Sequence, residues 1–186
     1  NGTVYSDIAT LLYHTGVSVE MDYSTQASGA PSEKVPWALA TYFNYDATTI
    51  GFAKQIDYTE NEWKEMLKTE LHALRPVYYA GFDATRGGHA WVCDGWRWSD
   101  DMFHMNWGWS GSLNGWFRIG QLNTSQGMYN NTNAIITGIK PGNPNLVVRI
   151  TNLIPNQLIA CKSSTAIDCS VLKGAAAKVN IYFDNA

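Results

Sequence analysis

An α+β fold, an antiparallel β-sheet with flanking helices followed by a short β-rich C-terminal module, is what this 186-residue sequence predicts. Three observations carry the prediction. A capped, amphipathic helical run precedes Pro76; five β-patterned runs separated by short turns follow it, up to residue 139; and the chemistry of the chain changes at Lys140-Pro141-Gly142-Asn143-Pro144. Eight tryptophans and ten tyrosines agree with antiparallel sheet, where aromatic side chains pack well across strands.

Taken in order, residues 4–15 form an amphipathic helix, with Tyr5, Ile8, Leu11 and Leu12 on one face and Gly16 as its C-terminal stop. Residues 17–23 alternate like a half-buried strand, and the small polar residues 24–31 make a loop whose backbone can approach a ligand closely. A second helix is expected over 32–42, beginning near Pro36, with Val35, Leu39 and Tyr42 as its apolar face. Thr59 and Glu62 have the spacing of a capping box, and Trp63, Met66, Leu67, Leu71 and Leu74 then recur at helical intervals until Pro76 ends the run. Strands follow at 77–82, 89–98, 102–107, 116–119 and 134–139. Beyond the break the tryptophans disappear and β-branched runs take over at 146–151 and 179–183, so the domains read as 1–141 and 142–186. About 45 residues are few for an independent sandwich, so the tail reads as a partial β-module.

Composition excludes several functions. A net charge of -3 supplies no broad basic surface, so nucleic acid is not an expected partner. No apolar stretch approaches the roughly 20 residues that cross a bilayer, and any targeting information is expected outside this chain. No His-x-x-x-His or Cys-x-x-Cys spacing points to a metal, and no glycine loop opening a helix points to phosphate, so neither metal nor organic cofactor is expected. Three cysteines do not make a disulfide framework; Cys161 and Cys169 are open to either pairing or remaining free thiols.

The chemistry concentrates in Gly87-Gly88-His89-Ala90-Trp91-Val92-Cys93-Asp94-Gly95 and His104-Met105-Asn106-Trp107-Gly108-Trp109-Ser110-Gly111. A histidine just after a glycine turn, at the start of a strand, places its ring at a sheet end where a cleft can form. A thiol titrating near 8.5 needs such an imidazole to stabilise its thiolate and later to protonate a leaving amine. Asn106, Trp107 and Trp109 supply an amide or ring that fixes the imidazole tautomer and an indole that keeps water away. Cys93 shares a strand face with His89, but four residues put them ~13 Å apart, beyond hydrogen-bond reach. It reads as a buried apolar residue, while Cys161 and Cys169 lie beyond the domain break and would need the tail to fold back. His14, His72 and His104 read as structural or surface residues.

At these residues the chain resembles the streptopain and interpain family of bacterial papain-like cysteine peptidases. The resemblance rests on Gly16-Val17-Ser18-Val19-Glu20-Met21-Asp22-Tyr23, the Ser28-Gly29 loop, Arg75-Pro76-Val77-Tyr78-Tyr79, the two motifs above and Gly138-Ile139-Lys140-Pro141, so it covers about residues 3 to 141. It implies a papain-like fold, with His89 as catalytic histidine, Asn106, Trp107 and Trp109 in the motif that orients or shelters it, and Ser28, Gly29 and Gly88 lining the substrate groove. In this family the cysteine sits on a helix before the segment that begins at Asn1, preceded by a propeptide. Residues 1–141 are therefore expected to be the C-terminal portion of a catalytic domain, partnered by an N-terminal segment or chain carrying the cysteine, with the face of helix 4–15 exposed if that partner is absent. The resemblance also implies polypeptide substrates, secretion or a bacterial cell-surface location, and a propeptide inhibitor in the precursor. A second reading is a non-catalytic module whose aromatic cleft of Trp91, Trp107, Trp109 and Trp116 binds peptide or glycan, and a third is an interaction fragment whose tail anchors a secreted protein to a surface.

Overall fold

Residues 2–142, with side chains from residue 6, and the backbone of four short strands beyond them are described by a computed structural model. The chain divides into two compact units, Asn1–Gly142 and Asn143–Ala186.

In the first unit, helix α1 (Gly2–Ser18) is followed by a short pair, β1 (Asp22–Tyr23) and β2 (Ser28–Gly29), and by helix α2 (Lys34–Tyr42). Strand β3 (Gly51–Lys54) and a 3-10 turn (Gln55–Asp57) lead into α3 (Glu60–His72). Strands β4 (Val77–Asp83), β5 (Gly87–Arg97), β6 (Met102–Asn106) and β7 (Gly115–Phe117) then run as a meander. A small pair, β8 (Asn123–Thr124) and β9 (Gly127–Met128), precedes β10 (Asn131–Thr137). The main sheet has the order β3-β10-β4-β5-β6-β7, every neighbour antiparallel.

Alternation decides which face is the core. Val77, Tyr79, Trp91, Cys93, Phe103, Met105 and Ile135 are buried on the face covered by Trp63 and Leu67 of α3. The Trp63 indole N–H donates to the Tyr79 hydroxyl at 3.0 Å, so this buried indole brings no unpaired polar group with it. The capping box of α3 is present in full: the Glu62 N–H donates to Thr59 Oγ1 and the Thr59 N–H donates to the Glu62 carboxylate.

Three local expectations are corrected. Helix α1 does not stop at Gly16; it runs on to Ser18 and closes in a Schellman arrangement, with Met21 N–H on the Gly16 carbonyl, Glu20 N–H on the Val17 carbonyl and Glu20 at φ 53°. A Cβ on Gly16 would meet the hydroxyl end of the Tyr23 side chain, which is exposed and free to move aside. The strand expected over 17–23 shrinks to Asp22–Tyr23, because its first residues complete the helix and its turn. Leu74 is not on the α3 face: it follows the helix at φ 57°, 90% exposed, in a second Schellman arrangement formed by Leu74 N–H on Leu71 and Arg75 N–H on Glu70. Strand β3 has only four residues and no polar alternation, so the sequence pattern does not reveal it.

The second unit contains β11 (Val148–Arg149) paired with β14 (Asn180–Ile181), and β12 (Ile159–Cys161) paired with β13 (Cys169–Val171). Cys161 and Cys169 are register partners in the latter pair. Their side chains, and the rest of the strands expected at 146–151 and 179–183, lie outside the described residues.

Candidate active site

Strand β5 sits between β4 and β6, and its first turn of backbone places His89 opposite Gly81 at the end of the core column. Period-2 alternation puts His89 on the same face as Trp91 and Cys93, so the imidazole caps a stack of aromatic rings. It lies 4.7 Å from the Trp109 ring at an interplanar angle of 23°, 5.9 Å from Trp91, 6.2 Å from Trp107 and 5.4 Å from Tyr129. The ring is half-buried and borders a cleft of about 1830 Å³ whose other walls include Ser28, Gly29, Tyr78 and Gly88.

One hydrogen bond orients the imidazole: His89 Nε2 lies 2.8 Å from the Trp107 main-chain oxygen. A carbonyl oxygen only accepts, so the proton is on Nε2 and the lone pair on Nδ1. Among the described residues Nδ1 has no hydrogen-bond partner. The tautomer is therefore fixed by a main-chain group, neither the amide nor a ring. Asn106 is not the direct partner of His89; its Oδ1 accepts from Gly108 N–H at 3.2 Å. That N–H shares a planar amide with the Trp107 carbonyl, so Asn106 aims the carbonyl that holds the imidazole.

Of the sequence-predicted residues, His89, Trp107 and Trp109 come together directly, and Asn106 acts one peptide plane away. Ser28, Gly29 and Gly88 border the cleft and are exposed. The glycine demanded by conformation is Gly87, at φ 87°; a Cβ on Gly88 would meet nothing closer than 3.9 Å. Cys93 is fully buried opposite Val77 and Met105, and burial pushes its thiol up to about 12. No thiolate forms there at neutral pH, which removes it as a nucleophile.

Two contributors escaped the sequence reading. Tyr129 reaches the site from the loop after β9, through a fold-level connection that leaves no local signal. Asp83 closes β4: its Oδ2 accepts from Met128 N–H at 2.6 Å, while Oδ1 accepts from the Thr85 hydroxyl and N–H and from Arg86 N–H. The Met128 N–H and these other donors hold its carboxyl far below the usual carboxylate range. The turn before Gly87-Gly88-His89 is thus tied to the strand that precedes Tyr129. Asp83-Ala84-Thr85 is an Asx-turn pattern that was legible in principle.

The aromatic cleft of the binding-module reading is not present as a surface. Trp91 and Trp107 are core residues, and Trp116 packs against His104 and beneath Arg97 away from His89. Among the described residues no group of three or more His, Cys, Asp or Glu side chains is arranged to hold a metal ion, and no helix is long and apolar enough to cross a membrane.

The family model of the Peptidase C10 family matches residues 1–117. Streptopain of Streptococcus pyogenes is 35% identical over 143 residues, 72% of this chain and 35% of that protein. The thiol protease/hemagglutinin PrtT of Porphyromonas gingivalis is 36% identical over 141 residues, 72% of this chain and 16% of that protein. The chain thus spans about a third or less of the length of these relatives. Active wild-type interpain A, a cysteine protease of Prevotella intermedia, superposes with a TM-score of 0.65 at 29% identity, covering 71% of this chain and 55% of its own. A prointerpain A fragment gives 0.63 at 29% identity, covering 76% and 45%. The α+β, papain-like fold read from the sequence is the fold these structures share.

Proposed function

The chain belongs to the Peptidase C10 family, and on that premise we propose that it is the histidine-bearing part of a secreted cysteine endopeptidase. The observation that carries the reading is the 2.8 Å bond from His89 Nε2 to the Trp107 carbonyl, which leaves Nδ1 as the nitrogen for a thiol. The nucleophile in this reading is a cysteine outside this chain, since Cys93 is sealed in the core and Cys161 and Cys169 belong to the second unit. Its segment packs on the cleft beside His89 and on α1, where Ile8, Leu11, Leu12, Tyr13 and Val17 are each half or more exposed.

The reaction then runs through His89. Nδ1 takes the thiol proton, and the thiolate sulfur attacks the carbonyl carbon of a polypeptide. As the C–N bond breaks, imidazolium Nδ1–H protonates the departing amine; the same nitrogen then deprotonates the water that releases the acyl group. Throughout, the Trp107 carbonyl accepts from Nε2–H, so positive charge on the ring meets an oriented dipole, and Trp109 shields the pair from solvent. Ser28, Gly29 and Gly88 offer backbone to the extended substrate. A precursor held inactive by a propeptide, and action outside the cell or at its surface, belong to the same proposal. The test is hydrolysis of an unfolded polypeptide by this chain combined with its cysteine-bearing segment. Activity that appears only with that segment and drops about 10²–10⁴-fold in His89→Ala supports the reading; undiminished activity in His89→Ala overturns it.

A further inference from the structure

We propose that Asn114 is a positioning residue for His89, acting through the backbone of Trp107; the inference rests on His89 being the acid–base group. Both main-chain polar groups of Trp107 are committed to side chains. Its carbonyl accepts from His89 Nε2–H at 2.8 Å, and its N–H donates to Asn114 Oδ1 at 3.0 Å.

Topology explains why a side chain is needed there. The β6–β7 ladder pairs Met105 with Gly115 and goes no further. From Gly108 to Leu113 the chain loops out through four residues at positive φ, Gly108, Ser110, Gly111 and Leu113. Trp107 N–H therefore has no strand partner. Asn114, last residue of the loop, reaches back across its neck and supplies the acceptor. Trp107 is fully buried, so solvent is not at hand to replace that acceptor.

Two asparagines thus clamp the peptide planes on either side of one residue. Asn114 fixes the plane that carries Trp107 N–H. Asn106, through Gly108 N–H, fixes the plane that carries the Trp107 carbonyl. Freeing the first plane lets the Trp107 backbone rotate, and the carbonyl that selects the His89 tautomer swings with it. Asn114 touches neither substrate nor imidazole; its effect passes entirely through that carbonyl.

The test compares Asn114→Ala with Asn114→Asp, which keeps an acceptor at the same reach, in the active peptidase. Long-range ¹H–¹⁵N correlation of the His89 ring, recorded with the catalytic cysteine replaced by alanine and at a pH where the imidazole is neutral, reads the tautomer directly. Wild type and Asn114→Asp are expected to carry the proton on Nε2. Asn114→Ala is expected to show mixed tautomers and a kcat lowered roughly ten- to hundredfold with KM little changed. An Asn114→Ala protein that folds, keeps the Nε2–H tautomer and keeps kcat overturns the proposal. Should that variant fail to fold, Asn114→Leu, close in size and without an acceptor, carries the same comparison. A wild-type His89 protonated on Nδ1 instead refutes the acid–base geometry on which the proposal stands.

Discussion

His89 and Trp107 are joined by a bond from imidazole Nε2–H to a main-chain carbonyl, 2.8 Å long, at the point where β6 ends. A backbone acceptor holds its place without a rotamer of its own, so the imidazole is oriented by the fold itself. Trp109 covers the ring at 4.7 Å.

That cover yields the first prediction. An aromatic pair of this kind contributes about 0.5–1.5 kcal/mol, so Trp109→Ala should lower kcat/KM roughly three- to tenfold. Steady-state kinetics beside a thermal melt separates this from unfolding, because Trp109 is only partly buried and the core rings beneath it stay in place.

Cys93 should behave as a core residue. With its thiol at about 12, alkylation at neutral pH should be negligible in the native protein and rapid in denaturant. Cys93→Ala should cost about 0.5–1.5 kcal/mol, as for removal of one buried methylene-sized group, and leave activity intact. Loss of activity with unchanged stability would contradict this.

Leu74 sits at φ 57° after α3, with 90% of its surface exposed. The left-handed backbone favours glycine and the side chain packs on nothing, so Leu74→Gly should raise stability by roughly 1 kcal/mol. Denaturant titration reads this as a higher midpoint at unchanged slope.

Glu70 links the end of α3 to the end of β10, accepting from Arg75 at 2.7 and 3.1 Å and from Gly138 N–H at 2.9 Å. Burial works against its ionised form, but Arg75 and the Gly138 N–H outweigh it and hold its pKa below the ordinary glutamate value. A depressed carboxylate stabilises the fold above its unfolded pKa, near 4.3, and the contribution is lost as pH falls through the lower folded value. Glu70→Gln should therefore cost about 1–3 kcal/mol at neutral pH. Melts from pH 7 down to 3 should show the gap between the two proteins closing on the acid side; a gap that widens there would contradict the sign.

Legibility followed the range of the interactions. The α3 capping box, the alternation of β4 to β6 and the placement of His89 beside the second motif depend on residues close in sequence, and all could be read there. Strand β10 lies between β3 and β4 although it is the last strand of that sheet along the chain, and only pairing across about fifty residues or more puts it there. The same long-range connection brings Tyr129 to His89. Gly16 reads as a helix stop, yet the left-handed residue that closes the helix is Glu20, and a glutamate at that backbone carries no signal in the pattern. Asn106 was visible as a polar residue of the motif, yet its route through the Gly108 amide could be seen only once the turn was built.

Whether His89 serves a thiol outside this chain is decided by mapping an active-site-directed thiol probe on the natively purified peptidase. A histidine-activated thiolate reacts far faster than a buried cysteine. The expected result is rapid label on a peptide outside these 186 residues, abolished in His89→Ala. Rapid label on Cys93, Cys161 or Cys169, or rapid label that survives His89→Ala, would contradict the account.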